Sequence, residues 1–99
     1  MNTKEEILDF LTQNRKLLTT KYHISKIGLF GSFSRDEQNN SSDVDLLIEL
    51  DKNSTNIYDL KLSINKFLSD AFDRDVDLAR EKYLKPYARE QILKETLFV

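Results

Sequence analysis

The sequence predicts one small α/β domain, and three observations carry that expectation. Helix-period segments alternate with short β-rich runs in the order helix, strand, short helix, strand, helix, strand, helix. The chain has 99 residues, enough for one domain with a modest core and too few for two. The tetrapeptide Asp-Val-Asp-Leu occurs twice, beginning at Asp43 and at Asp75, each time where a strand is the natural reading.

Thr3 and Glu6 have the spacing of a capping box. Ile7, Leu8, Phe10, Leu11, Leu17, Leu18 and Tyr22 recur at helical intervals, so a first helix is expected to run to about Tyr22. Residues 24–30, ISKIGLF, are rich in β-formers and end at Gly31, which predicts a strand. Gly31 and Ser32 then open a short helix, followed by a polar loop over 38–42. A second strand is expected over 43–50 and a capped turn over 51–56. Ile57, Leu60, Leu62, Ile64, Phe67, Leu68 and Phe72 line one side of an amphipathic helix. Residues 75–79 form a third strand. Pro86 suits the first turn of a helix and not its interior, so 81–85 is a turn and 86–95 a helix. Residues 97–99 are a terminal strand.

Composition narrows the function. The net charge of −2 does not suit direct nucleic-acid binding, which favours a basic surface. With no cysteine, disulfides and thiolate metal sites are excluded. No apolar run approaches membrane-spanning length and no signal-peptide core opens the chain, so a cytoplasmic protein is expected.

Residues i and i+2 of a strand share a face. Asp43 and Asp45 therefore project together while Val44 enters the core, and Asp75, Asp77 and Val76 repeat the arrangement. The helix between these strands is long enough for a parallel crossover. Pairing in register sets Asp45 beside Asp77, and the repeated tetrapeptide gathers carboxylates from two neighbouring strands. Two such charges about 4 Å apart repel by roughly 4 kcal/mol at an effective dielectric of 20. Protonation or a divalent ion must relieve this, and oxygen-only ligands favour Mg²⁺ or Mn²⁺. Upstream, Gly31 permits close backbone approach to a ligand, and Ser32 offers a hydroxyl and N–H groups to an anion. A phosphate cradle beside a cation site points to a nucleoside triphosphate bound as its metal complex, with two ions in separate roles.

Other residues carry two readings. Asp75 joins the cluster or caps the strand edge. Arg35 binds a phosphate or is a solvated loop residue. Arg74 and Arg80 offset the acids of the third strand or face a triphosphate. His23, at a helix–strand joint, reads as structural, and Tyr58, Tyr83 and Tyr87 read as core or interface residues.

The stretches GLFGSFSRDE, SDVDLLIEL, DVDLA and LKPYAREQILKE together resemble the minimal nucleotidyltransferases of the DNA polymerase β-like superfamily, from about Ile27 to Glu95. The resemblance implies a single minimal nucleotidyltransferase domain over 1–99, built as a small mixed sheet flanked by helices (an α+β arrangement). It implies that Gly31 and Ser32 hold phosphate, with Arg35 a further nucleotide-binding residue. Asp43 and Asp45 would bridge two Mg²⁺ ions, and Asp77 would hold the ion that activates the acceptor hydroxyl. Asp36 departs from the pattern, where a Gly often follows the Arg. Members this small resemble antitoxins paired with a separate helical HEPN-type toxin, some of which move AMP from ATP to a tyrosine of that toxin. The chain has little room to recognise an acceptor unaided, so the expected partners are ATP and such a protein. The alternative is a non-catalytic module that neutralises its partner by occlusion. A sugar-nucleotide transferase would need a longer chain.

Overall fold

Thr3 opens the first helix, α1 (Lys4–Gln13), in the computed structural model, which describes residues 1–99. The Thr3 hydroxyl accepts the Glu6 N–H at 3.1 Å. The Glu6 carboxylate in turn accepts the Asn2 N–H and the Thr3 hydroxyl, and these bonds hold the Glu6 pKa below its ordinary value. The helix stops at Gln13, well before the expected Tyr22. The backbone leaves helical geometry at Asn14, with ψ of 11°, where the backbone N–H and the side-chain amide both donate to the Phe10 carbonyl, at 3.0 and 2.9 Å. A second segment, α2 (Arg15–Thr20), follows.

Strands β1 (Ile24–Phe30) and β2 (Val44–Leu50) pair antiparallel. Helix α3 (Ile57–Phe72) crosses from β2 to β3 (Val76–Arg80), and these two strands run parallel. A 3₁₀ turn (Glu81–Tyr83) leads to α4 (Pro86–Glu95), with Pro86 in its first turn, and β4 (Leu97–Phe98) returns to pair antiparallel with β1. The sheet order is β3-β2-β1-β4, a mixed α+β sheet. The segment after β1 departs from expectation: Ser32–Asp36 form successive turns, not a helix.

The two faces of the sheet differ. Ile24, Ile27, Leu29, Val44, Leu46, Ile48 and Val76 are buried in one cluster with Ile7, Leu11, Ile64, Leu68 and Phe72 from the helices. Phe10 meets Phe72 edge-on at 5.3 Å between centroids, and Tyr22 stacks on Phe67 at 5.2 Å. Each fully buried aliphatic side chain there contributes roughly 1.5–3 kcal/mol. Alternation along β2 and β3 leaves Asp45, Glu49 and Asp77 on the other face. Gly28 on β1 has no Cβ, and one placed there would lie 2.5 Å from the Thr96 methyl. That bare position lets the junction of α4 and β4 settle against the sheet. No helix is long and apolar enough to cross a membrane.

Candidate active site

Strand register brings the acids together. Asp45 pairs with Asp77 across the parallel β2–β3 ladder, one step beyond the Val44–Val76 pair. Both therefore project from the face opposite the core. Asp43 precedes β2 and is exposed, Asp77 is exposed, and Asp45 is half-buried. Burial, then the charges of Asp77 and Asp43, push the Asp45 carboxyl up to about 6. Asp45 thus feels the other two carboxylates. Asp75 lies on the rim of a polar cleft that also includes Asp43, Asp70 and Asp73, and its carbonyl accepts the Val44 N–H at 2.9 Å.

The Gly31 bend closes over Asp45. Gly31 has φ of 77°, the left-handed region that side chains disfavour. A Cβ there would lie 2.1 Å from Asp45 Oδ2, so the bare backbone is required by the carboxylate beneath it. The Gly31 carbonyl accepts the N–H groups of Ser34 and Arg35 and the Ser34 hydroxyl. The N–H groups of Ser32 and Phe33 and the Ser32 hydroxyl donate to no other protein group, and they follow directly on the bend.

No three carboxylate or imidazole side chains are drawn together tightly enough to enclose an ion unaided. Mg²⁺ does not ask for that: it keeps several waters and binds through one or two carboxylates plus substrate phosphates. A hard, oxygen-only set with one acid whose carboxyl is raised to about 6 by burial and then by its acidic neighbours fits such an ion.

Arg35, Arg74 and Arg80 each meet partners within the protein. Arg35 Nη1 donates to both oxygens of Glu95 at 3.1 and 3.0 Å, and its Nε donates to Glu37 at 3.2 Å. These bonds, Glu95 first, raise its pKa further above an already permanent charge. Arg74 donates to the carbonyls of Met1, Asn39 and Ser42 and so ties down the loop that delivers Asp43. Arg80 lies 3.7 Å from Glu49. Tyr58, Tyr83 and Tyr87 are all more than two-thirds exposed, which corrects the core reading. His23 has φ of 59° and its carbonyl accepts the Asp51 N–H, a structural joint.

Sequence reading missed Glu95, which reaches this site from α4 and accepts the Gly31 N–H at 3.2 Å. A signal existed. Leu97 pairs with Leu29 and Phe98 with Gly28, and the same antiparallel register carried back two residues sets Glu95 opposite Gly31.

Acids on adjoining parallel strands beneath a glycine–serine bend define a class of phosphotransfer site, and the family comparison agrees. The chain belongs to the nucleotidyltransferase domain family, whose model matches residues 5–99, and it is a nucleotidyltransferase. A Methanocaldococcus jannaschii protein provisionally named a protein adenylyltransferase is 33% identical over 100 residues, with both chains covered in full. The protein adenylyltransferase MntA of Thermococcus cleftensis is 31% identical over 99 residues, all of this chain and 98% of the relative. Among solved structures, one described as a minimal nucleotidyltransferase superposes with a TM-score of 0.79 at 25% identity, covering 96% of this chain and 94% of its own. A toxin–antitoxin crystal structure with AMP-PNP shares the fold at a TM-score of 0.64 and 24% identity, over 96% of this chain and 70% of its own.

Proposed function

We propose that this chain transfers AMP from ATP to a hydroxyl, a tyrosine of a separate HEPN-type toxin, and so acts as an antitoxin with Mg²⁺ as its cofactor. The acceptor oxygen bonds to the α-phosphorus, the bond to pyrophosphate breaks, and the hydroxyl proton leaves to solvent. Asp43 and Asp45 would hold both of two ions, and Asp77 the ion on the acceptor side. Bound there, the ions supply charge neutralisation for the leaving pyrophosphate and a lowered pKa for the attacking hydroxyl. The chain's own contribution is orientation. The Ser32 and Phe33 N–H groups and the Ser32 hydroxyl receive the terminal phosphates, and the Asp43, Asp45 and Asp77 carboxylates would hold the ions.

The observation that carries this reading is the Asp45–Asp77 pairing with Gly31 pressed against Asp45. Relatives named as protein adenylyltransferases support AMP as the group moved and a protein as its acceptor.

The test mixes the protein with labelled ATP, Mg²⁺ and the product of the adjacent gene. Label is expected on a tyrosine of the partner. Asp77→Asn should still bind ATP yet transfer at least a hundredfold more slowly, roughly the loss of one essential electrostatic group. Undiminished transfer by that variant removes Asp77 from the mechanism. Full suppression of the toxin by the double variant Asp43→Asn/Asp45→Asn points instead to occlusion.

A further inference from the structure

Glu95 ends α4, and its carboxylate turns back to the bend after β1. It accepts the Gly31 N–H at 3.2 Å and Arg35 Nη1 at 3.1 and 3.0 Å. Its side chain is only 14% exposed. A carboxylate so covered is tolerable because a guanidinium and an amide meet its charge. The Gly31 carbonyl, at the far end of the same residue, is held by Ser34 and Arg35. Gly31 is therefore fixed at both its amide and its carbonyl, in a conformation that determines where the next two N–H groups point.

We propose that Glu95 is a positioning residue for the nucleotide. It clamps the Gly31 amide and Arg35 together, so that the Ser32 and Phe33 N–H groups and the Ser32 hydroxyl present one fixed cradle to the terminal phosphates. Phosphate recognition falls to that backbone pair and hydroxyl, and Arg35 serves the clamp instead of the ligand. This role rests on the nucleotidyl-transfer reading of the site. The contrary possibility is physical and distinct: a carboxylate beside the cradle is itself an anion, and one that blocked the site would weaken triphosphate binding.

Titration of the protein with Mg²⁺·ATP by calorimetry separates these. Glu95→Ala is expected to weaken binding at least about tenfold, the scale of losing a charge-assisted clamp. Glu95→Gln, which keeps an acceptor for both donors, should stay within about threefold of wild type. That rescue distinguishes positioning from simple packing. Arg35→Ala should match Glu95→Ala, and the double variant should be no weaker than either, because the two residues act as one unit. Equal or tighter binding by Glu95→Ala overturns the proposal, as do losses at Glu95 and Arg35 that multiply. If Glu95→Ala does not fold, Glu95→Asp, one methylene short, carries the same expectation. Absence of wild-type binding overturns the nucleotide reading and this role with it. Wild-type binding that Glu95→Ala leaves unchanged overturns the role alone.

Discussion

Gly31 and Asp45 show how one contact constrains two residues. The positive φ of Gly31 and the 2.1 Å gap a Cβ would leave to Asp45 Oδ2 act in the same direction. Gly31→Ala is expected to lower stability by about 1–2 kcal/mol. Because it pushes the Asp45 carboxylate aside, it should also weaken Mg²⁺·ATP binding at least about tenfold. Thermal melts and calorimetry check the two parts. Asp45 also sets a pH dependence. Its folded pKa of about 6 stands above its ordinary 3.8, so the fold binds that proton more tightly than the unfolded chain does. Its contribution is intact below about pH 3.8, declines between about 3.8 and about 6, and is a net cost at neutral pH. Without divalent ions, Asp45→Asn should therefore melt above wild type at pH 7, with the gap closing near pH 4. Discounted for a half-exposed group, the gain is about 1 kcal/mol, or roughly 4–8 °C. A wild type that melts no lower than the variant at pH 7 would contradict the cause assigned to the shift.

At the scale of elements, the segment between β1 and β2 carries the site without forming a helix or strand of its own. Asp36 stands where the resembling family often has Gly, and its φ of 57° explains why either residue serves. Asp tolerates the left-handed region far better than branched side chains do. Its carboxylate also meets Lys4 at 2.9 Å, linking the loop to α1. Asp36→Val is expected to destabilise the protein by about 1–3 kcal/mol through backbone strain, whereas Asp36→Gly should change stability by less than about 1 kcal/mol. Denaturant titration of both variants checks this, and equal losses would place the effect in the ion pair. The first helix teaches a related lesson. Its apolar period continues past Asn14, yet the backbone leaves helical geometry there, because periodicity records which face is apolar and not whether the backbone is continuous.

Across the whole molecule, the sheet order decides which residues meet. Asp45 and Asp77 adjoin because α3 returns the chain to a parallel neighbour, an arrangement legible from two strand-period segments and a helix of crossover length. Gly31 and Glu95 adjoin because β4 adds to the free side of β1, a pairing of only two residues that leaves little local trace. The arginines follow the same division. Their types were legible, but Arg35 finds Glu95 60 residues away and Arg74 finds Met1 73 residues away. Long flexible side chains choose partners by what the fold places within reach.

The amino-acid sequence by itself determined the strands, the helix that crosses from β2 to β3, and the alignment of Asp45 with Asp77. Each of these follows from backbone periods of 2 and 3.6 residues and from short-range connection rules. Only the tertiary structure decided that Arg35 is held by Glu95, that the bend after β1 is a run of turns, and that the three tyrosines face solvent. Those outcomes depend on burial and charge pairing between segments far apart in the chain, which no local period encodes.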